Sequence, residues 1–231
     1  MKKLQKMGGI AALYAGAAYV VGMLGFGLIV GWPDDPVQQM AVLMNSQVGL
    51  HILYLIVYQV WAIVLVVLAL ALYERLKAGS PAMMQTATVI GMIWATVVIA
   101  SGMIWNIGMD TVVDLYGQDP AQATTIWSTI ESVCNGIGGG NEILGGLWIL
   151  LISWAALWAG GLPKALNYLG AVIGVAGILS ALPGLGEVGL IFGLAQIVWF
   201  VWLGICMLRP SPSAAAKSAE SVHKNNLGGD A

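Results

Sequence analysis

HILYLIVYQVWAIVLVVLALALYERLK, residues 51–77, is an apolar run whose strongly polar members before Glu74 are His51 and Gln59, and it closes on Arg75 and Lys77. Barrel strands alternate with period two over about ten residues, and this run does not. Its apolar part, about residues 48–72, supplies the ~20 helical residues that a ~30 Å hydrocarbon layer requires. It therefore predicts a membrane-spanning helix with a basic end.

That ending recurs on every second gap between apolar runs. The nine Lys and Arg residues are Lys2, Lys3 and Lys6 before the first run, Arg75 and Lys77 after the second, Lys164 after the fourth, and Arg209, Lys217 and Lys224 after the sixth. The gaps between carry carboxylates instead: Asp34 and Asp35, then Asp110, Asp114 and Asp119, then Glu187. Lys and Arg are retained on the cytoplasmic side during insertion, so every basic gap predicts the same orientation. The expected fold is an all-α polytopic membrane bundle of six transmembrane helices with both termini inside. Spans are expected at about 9–31, 48–72, 85–109, 141–160, 165–183 and 188–208, making one domain over residues 1–209. Residues 210–231, rich in Ser, Ala, Asn and Lys, are expected to form a disordered cytoplasmic tail. Trp32, Trp105 and Trp127 fall toward the outer interface and Tyr73, Trp158 and Tyr168 toward the inner one, where ring and polar tip suit headgroup depth.

Residues 124–160 would overshoot the bilayer as one helix, at roughly 55 Å for ~1.5 Å per residue. The glycines between Gly136 and Gly140 are the expected break, because each weakens a helix by about 1 kcal/mol relative to alanine. Before it, Ile126, Trp127, Ile130, Val133, Cys134 and Ile137 share one face, and Thr124, Ser128, Glu131, Ser132 and Asn135 the other. This pattern predicts an amphipathic helix over about 121–137 lying along the interface, followed by the fourth span. Small residues four apart, at Gly8-Ala12-Gly16, Gly170-Gly174 and Gly189-Gly193, permit close helix contact. Internal packing is their first expected use and a homo-oligomer the second.

The chain is 59% apolar and 9% charged, whereas about a quarter of residues are charged in soluble domains. It has no basic patch large enough for nucleic acid. The apolar run behind Lys2, Lys3 and Lys6 is longer than the ~7–15 residues of a cleavable signal and lacks an Ala-x-Ala-like site, so it is expected to stay as an anchor. Cys134 and Cys206 fall on opposite sides and are not expected to pair; without a C-x-x-C, quinone-linked thiol–disulfide chemistry lacks its parts.

Polar groups in hydrocarbon need partners, a cavity or water, which makes the few present informative. Gln59 and Gln196 lie at mid-depth, where a hydrogen bond between them is the ordinary expectation and a transport path the alternative. Nearer the outer face the candidates are His51, Asn106, Asp110, Glu131, Asn141 and Glu142, contributed by successive elements that point to one level. They define a candidate polar pocket, with the Glu131 helix as its lid. Each also has a plain structural use: Asn141 and Glu142 suit a helix start, and His51 suits an interfacial hydrogen bond. One membrane histidine does not make a zinc or haem site, so no metal and no cofactor is expected. The glycine run lacks the strand and the Gly-Lys-Ser/Thr ending of a phosphate loop, and the common hydrolase signatures are missing, so no catalytic residue is assigned.

Residues 101–109 (SGMIWNIGM), 140–148 (GNEILGGLW), 162–170 (LPKALNYLG) and 192–200 (FGLAQIVWF) resemble a family of small six-span bacterial integral membrane proteins of unknown function. The resemblance covers most of residues 5–209. It implies a prokaryotic inner-membrane protein and brings no catalytic residues. The expected function is a non-enzymatic binding, sensory or structural role, with the lipid bilayer and a small polar or cationic ligand as partners. A small-molecule or ion transporter is the alternative, and an enzyme acting on a lipid-borne substrate through Glu142 and His51 is the third choice.

Overall fold

The structure is a computed structural model that describes residues 2–31, 33, 35–139 and 142–209. Asn141 and the expected tail, residues 210–231, lie outside the described residues. Among those described, every regular element is helical: α1 Lys2–Leu24, α2 Pro36–Tyr54, α3 Trp61–Leu76, α4 Pro81–Tyr116, α5 Pro120–Cys134, α6 Ile143–Ala159, α7 Lys164–Leu179 and α8 Val188–Leu208. Three wider π turns accompany them. Gly25–Val30 continues α1, Leu55–Val60 joins α2 to α3, and Asn135–Gly139 extends α5. Four stretches are long and apolar enough to cross a membrane: Lys3–Gly27, Pro36–Leu76, Pro81–Tyr116 and Val188–Leu208. The apolar helices α6 and α7 are shorter, at 17 and 16 residues.

Two helices run past the limits expected from hydropathy. Pro36–Leu76 has 41 residues and α4 has 36, about 60 and 54 Å at ~1.5 Å per residue, against ~30 Å of hydrocarbon. Their ends explain part of this. Asp35 caps α2 by accepting from the Val37 amide at 3.1 Å, just ahead of Pro36, and Asp119 caps α5 by accepting from the Gln122 amide at 3.0 Å, just ahead of Pro120. Both Asp-Pro pairs are helix starts. The rest lies in the buried stripe of α4, where Met84, Ala87, Gly91, Trp94, Val98, Ser101, Trp105, Gly108 and Val112 recur at alternating threes and fours along the whole helix.

Two cores result. The larger, around Trp61, Trp94, Trp148, Trp199 and Phe200, is shared by α1, α3, α4, α6, α7 and α8. The smaller joins Met40, Leu43 and Tyr54 of α2, Trp105, Met109 and Val112 of α4, and Ala123, Trp127 and Cys134 of α5. The expected amphipathic helix over about 121–137 is present as α5, and its apolar face packs against α2 and α4. Trp127 is fully buried and donates to Gln39 Oε1 at 3.1 Å, while Val133, from the same expected face, is exposed.

At the other end, Arg75 Nε donates to the Gly161 carbonyl at 3.0 Å and Nη1 to Gln5 Oε1 at 3.3 Å, while Gln5 Nε2 donates to the Ala71 carbonyl at 2.7 Å. The start of α1, the end of α3 and the α6–α7 turn therefore meet at one basic end. Small residues pack within the chain, Gly8 against Ala71 and Gly174 against Gly146, whereas a side chain at Gly193 would meet nothing within 4 Å.

Candidate functional site

Of the six residues expected to share one pocket, the five that are described do not come together. His51, near the end of α2, and Asp110, on the last turns of α4, form one centre. His51 Nε2 lies 3.3 Å from Asp110 Oδ1, the same oxygen accepts from Gln47 Nε2 at 2.8 Å, and His51 Nδ1 is 3.2 Å from the Gln47 carbonyl. Gln47 sits one turn before His51, so both side chains share the face of α2 that meets α4. The side chains of His51 and Asp110 are 32% and 48% exposed, and a pair that open to solvent contributes at most about 1 kcal/mol. It links two helices and offers no enclosed volume. Asn106, one turn deeper on α4, has a buried Oδ1 without a hydrogen-bond partner, and Glu131 is partly buried on α5.

Glu142 belongs elsewhere. It occupies the cap position of α6, but its side chain does not cap that helix. Instead it lines a cavity of about 430 Å³ together with Ala18, Tyr19, Gly22, Met23 and Phe26 from α1 and its π turn, Val57 and Tyr58 from the second π turn, Trp61 of α3, and Trp94 and Val98 of α4. Five aromatic rings and one carboxylate thus border one chamber. The walls are held from behind: Trp61 packs edge-on to Trp94 at 4.9 Å and to Tyr19 at 5.8 Å, and Tyr58 leans on Tyr54 at 5.6 Å, which stacks on Trp105 at 5.3 Å. Backbone ties fix the lining helices as well. The Tyr14 hydroxyl donates to the Ile56 carbonyl at 3.0 Å, across from α1 to the π turn. Ser101 Oγ donates to the Cys134 carbonyl at 3.2 Å, and Cys134 Sγ to the Ser101 carbonyl at 3.6 Å, anchoring the segment that leads to Glu142 onto α4.

The chain matches no protein-family model, no curated protein and no solved structure. The chemistry of the chamber is therefore argued from its own residues.

Gln59 and Gln196 do not form the expected pair. Gln59 Oε1 has no hydrogen-bond partner among the described residues and abuts Gly102 of α4, while Gln196 is fully buried beside Tyr19. The helical setting turns Gln59 toward α4 and Gln196 toward α1, so equal depth did not bring them together. Tyr19, Tyr58, Trp61 and Trp94 were not singled out from the sequence, because aromatic residues on apolar helices are ordinary core. The π turn at Leu55–Val60 leaves no compositional trace in the run that contains it.

Proposed function

We propose that the chain is a six-span bacterial inner-membrane protein with both termini cytoplasmic, of the kind its sequence resembles, and that it binds a small ligand in the Glu142 chamber in a binding or sensory role. The chamber carries this reading. Its volume falls in the ~300–1,000 Å³ range of small-molecule sites, its lining is apolar, and its few polar groups converge on it. The gathering of Gln5, Arg75 and Gly161 at one end supports the orientation read from the charges.

Two experiments test this. Single cysteines at Asp114 and at Lys77, in a Cys134→Ser, Cys206→Ser background, are exposed to a membrane-impermeant maleimide on intact cells. Labelling at position 114 and protection at 77 is the expected result, and the reverse overturns the orientation. For the chamber, the purified full-length protein is dialysed against benzyl alcohol, benzyltrimethylammonium and benzoate, which share a ring and differ in charge. At least one is expected to bind saturably, and Ala18→Phe, which fills the cavity, to abolish it; binding unaffected by the filling refutes the site. Transport is the second reading, favoured by the π turns at Gly25–Val30 and Leu55–Val60 in the chamber wall, since such turns mark functional segments. Flux of the bound probe across proteoliposomes distinguishes it.

A further inference from the structure

We propose that the chamber takes an organic cation, a tertiary or quaternary ammonium with apolar substituents. This rests on the ligand-binding reading above and names the ligand class. Aromatic faces attract a cation through their quadrupole, Trp most strongly, and enclosing rings are the usual device for an ammonium too substituted to be hydrogen-bonded. Here Trp61 stands at 73° to Trp94 and 81° to Tyr19, so the rings form corners instead of one flat wall. Tyr58 and Phe26 add further sides.

The carboxylate selects the sign of charge. The Glu142 carboxylate is partly buried and makes no hydrogen bond or ion pair with the described residues, and no described Lys, Arg or His lines the chamber. An ionised group in that setting lacks the countercharge that buried charges require, and a ligand cation supplies it. Metal cations fit poorly: Ca²⁺ takes about six to eight oxygen ligands and Mg²⁺ an octahedron, whereas the described lining offers one carboxylate among rings. Anions meet Glu142, and sugars find too few hydrogen-bonding groups. Gly22, Met23 and Val57 add apolar lining, and Met23 is 53% exposed, which suits a ligand bearing hydrocarbon.

The three matched probes discriminate. Benzyltrimethylammonium is expected to bind the full-length protein at least about tenfold more tightly than benzyl alcohol, with no binding of benzoate. Glu142→Gln, which keeps shape and removes charge, is expected to erase that preference while leaving benzyl alcohol binding as it was. Equal binding of cation and alcohol by the native protein overturns the proposal without needing any variant, and so does an undiminished preference in Glu142→Gln. Binding of the alcohol alone overturns the cation and leaves the chamber reading standing; binding of none of the three overturns both. Repeating the titration in phosphatidylcholine and phosphatidylethanolamine nanodiscs identifies the source. Weaker binding only in phosphatidylcholine assigns the site to a quaternary lipid headgroup, and equal binding assigns it to a free organic cation.

Discussion

Trp148→Ala is expected to destabilise the detergent-solubilised protein by about 3–5 kcal/mol, the largest loss of any single side chain considered. Trp148 is fully buried on α6 and lies 5.9 Å from Trp94 of α4, 6.0 Å from Trp199 of α8 and 6.5 Å from Phe200, so its removal opens a cavity where three helices meet. The space is closed on a fourth side by Gly91, where an added side chain would meet Trp148 Nε1 at 2.6 Å. Its indole nitrogen has no hydrogen-bond partner, so Trp148→Phe removes a donor without stranding an acceptor. That variant is expected to lose less than half as much as the alanine. Equilibrium denaturation of the three proteins checks both statements, and equal losses for Phe and Ala would show that ring volume is not what this position contributes.

Gly146→Leu is expected to separate α6 from α7 and to cost at least about 1–3 kcal/mol, the usual range for overpacking. A Cβ at Gly146 would lie 2.7 Å from the Gly174 carbonyl, 2.8 Å from the Ile178 amide and 3.0 Å from the Gly177 carbonyl carbon. All three are backbone atoms, so no rotamer change relieves the contact and the helices must move apart. Gly193→Ala is the matched control, since a Cβ there meets nothing within 4 Å and alanine favours the helix by about 1 kcal/mol. A denaturation midpoint lowered by Gly146→Leu and held or raised by Gly193→Ala is the expected pair. If Gly146→Leu unfolds at the native midpoint, the α6–α7 contact is not the close one described.

Much of the candidate site was legible as a set of residues but not as a grouping. His51, Asp110 and Glu142 were all conspicuous as polar groups at one end of an apolar chain. His51 and Asp110 meet because α2 and α4 face each other there. Glu142 parts from them because it opens α6 on the chamber side. The Asp-Pro starts at Asp35 and Asp119 carried a readable capping signal; read as a helix start, Asp35 would have lengthened α2 back to Pro36, while α5 begins within one residue of the expected 121.

The sequence by itself determined that this protein is helical and apolar, where its basic gaps fall and which residues are unusual for their surroundings. These are properties of composition along the chain, and each apolar run reports them locally. Only the tertiary structure decided that α5 rests on α2 and α4, that Gln59 and Gln196 turn away from each other, and that Tyr19, Tyr58, Trp61 and Trp94 enclose a chamber with Glu142. Those outcomes depend on how far each helix is rotated about its axis. That rotation is set by close approaches such as Gly146 on Gly174 and by π turns that shift the register of everything after them, and neither is visible in the hydropathy of a single run.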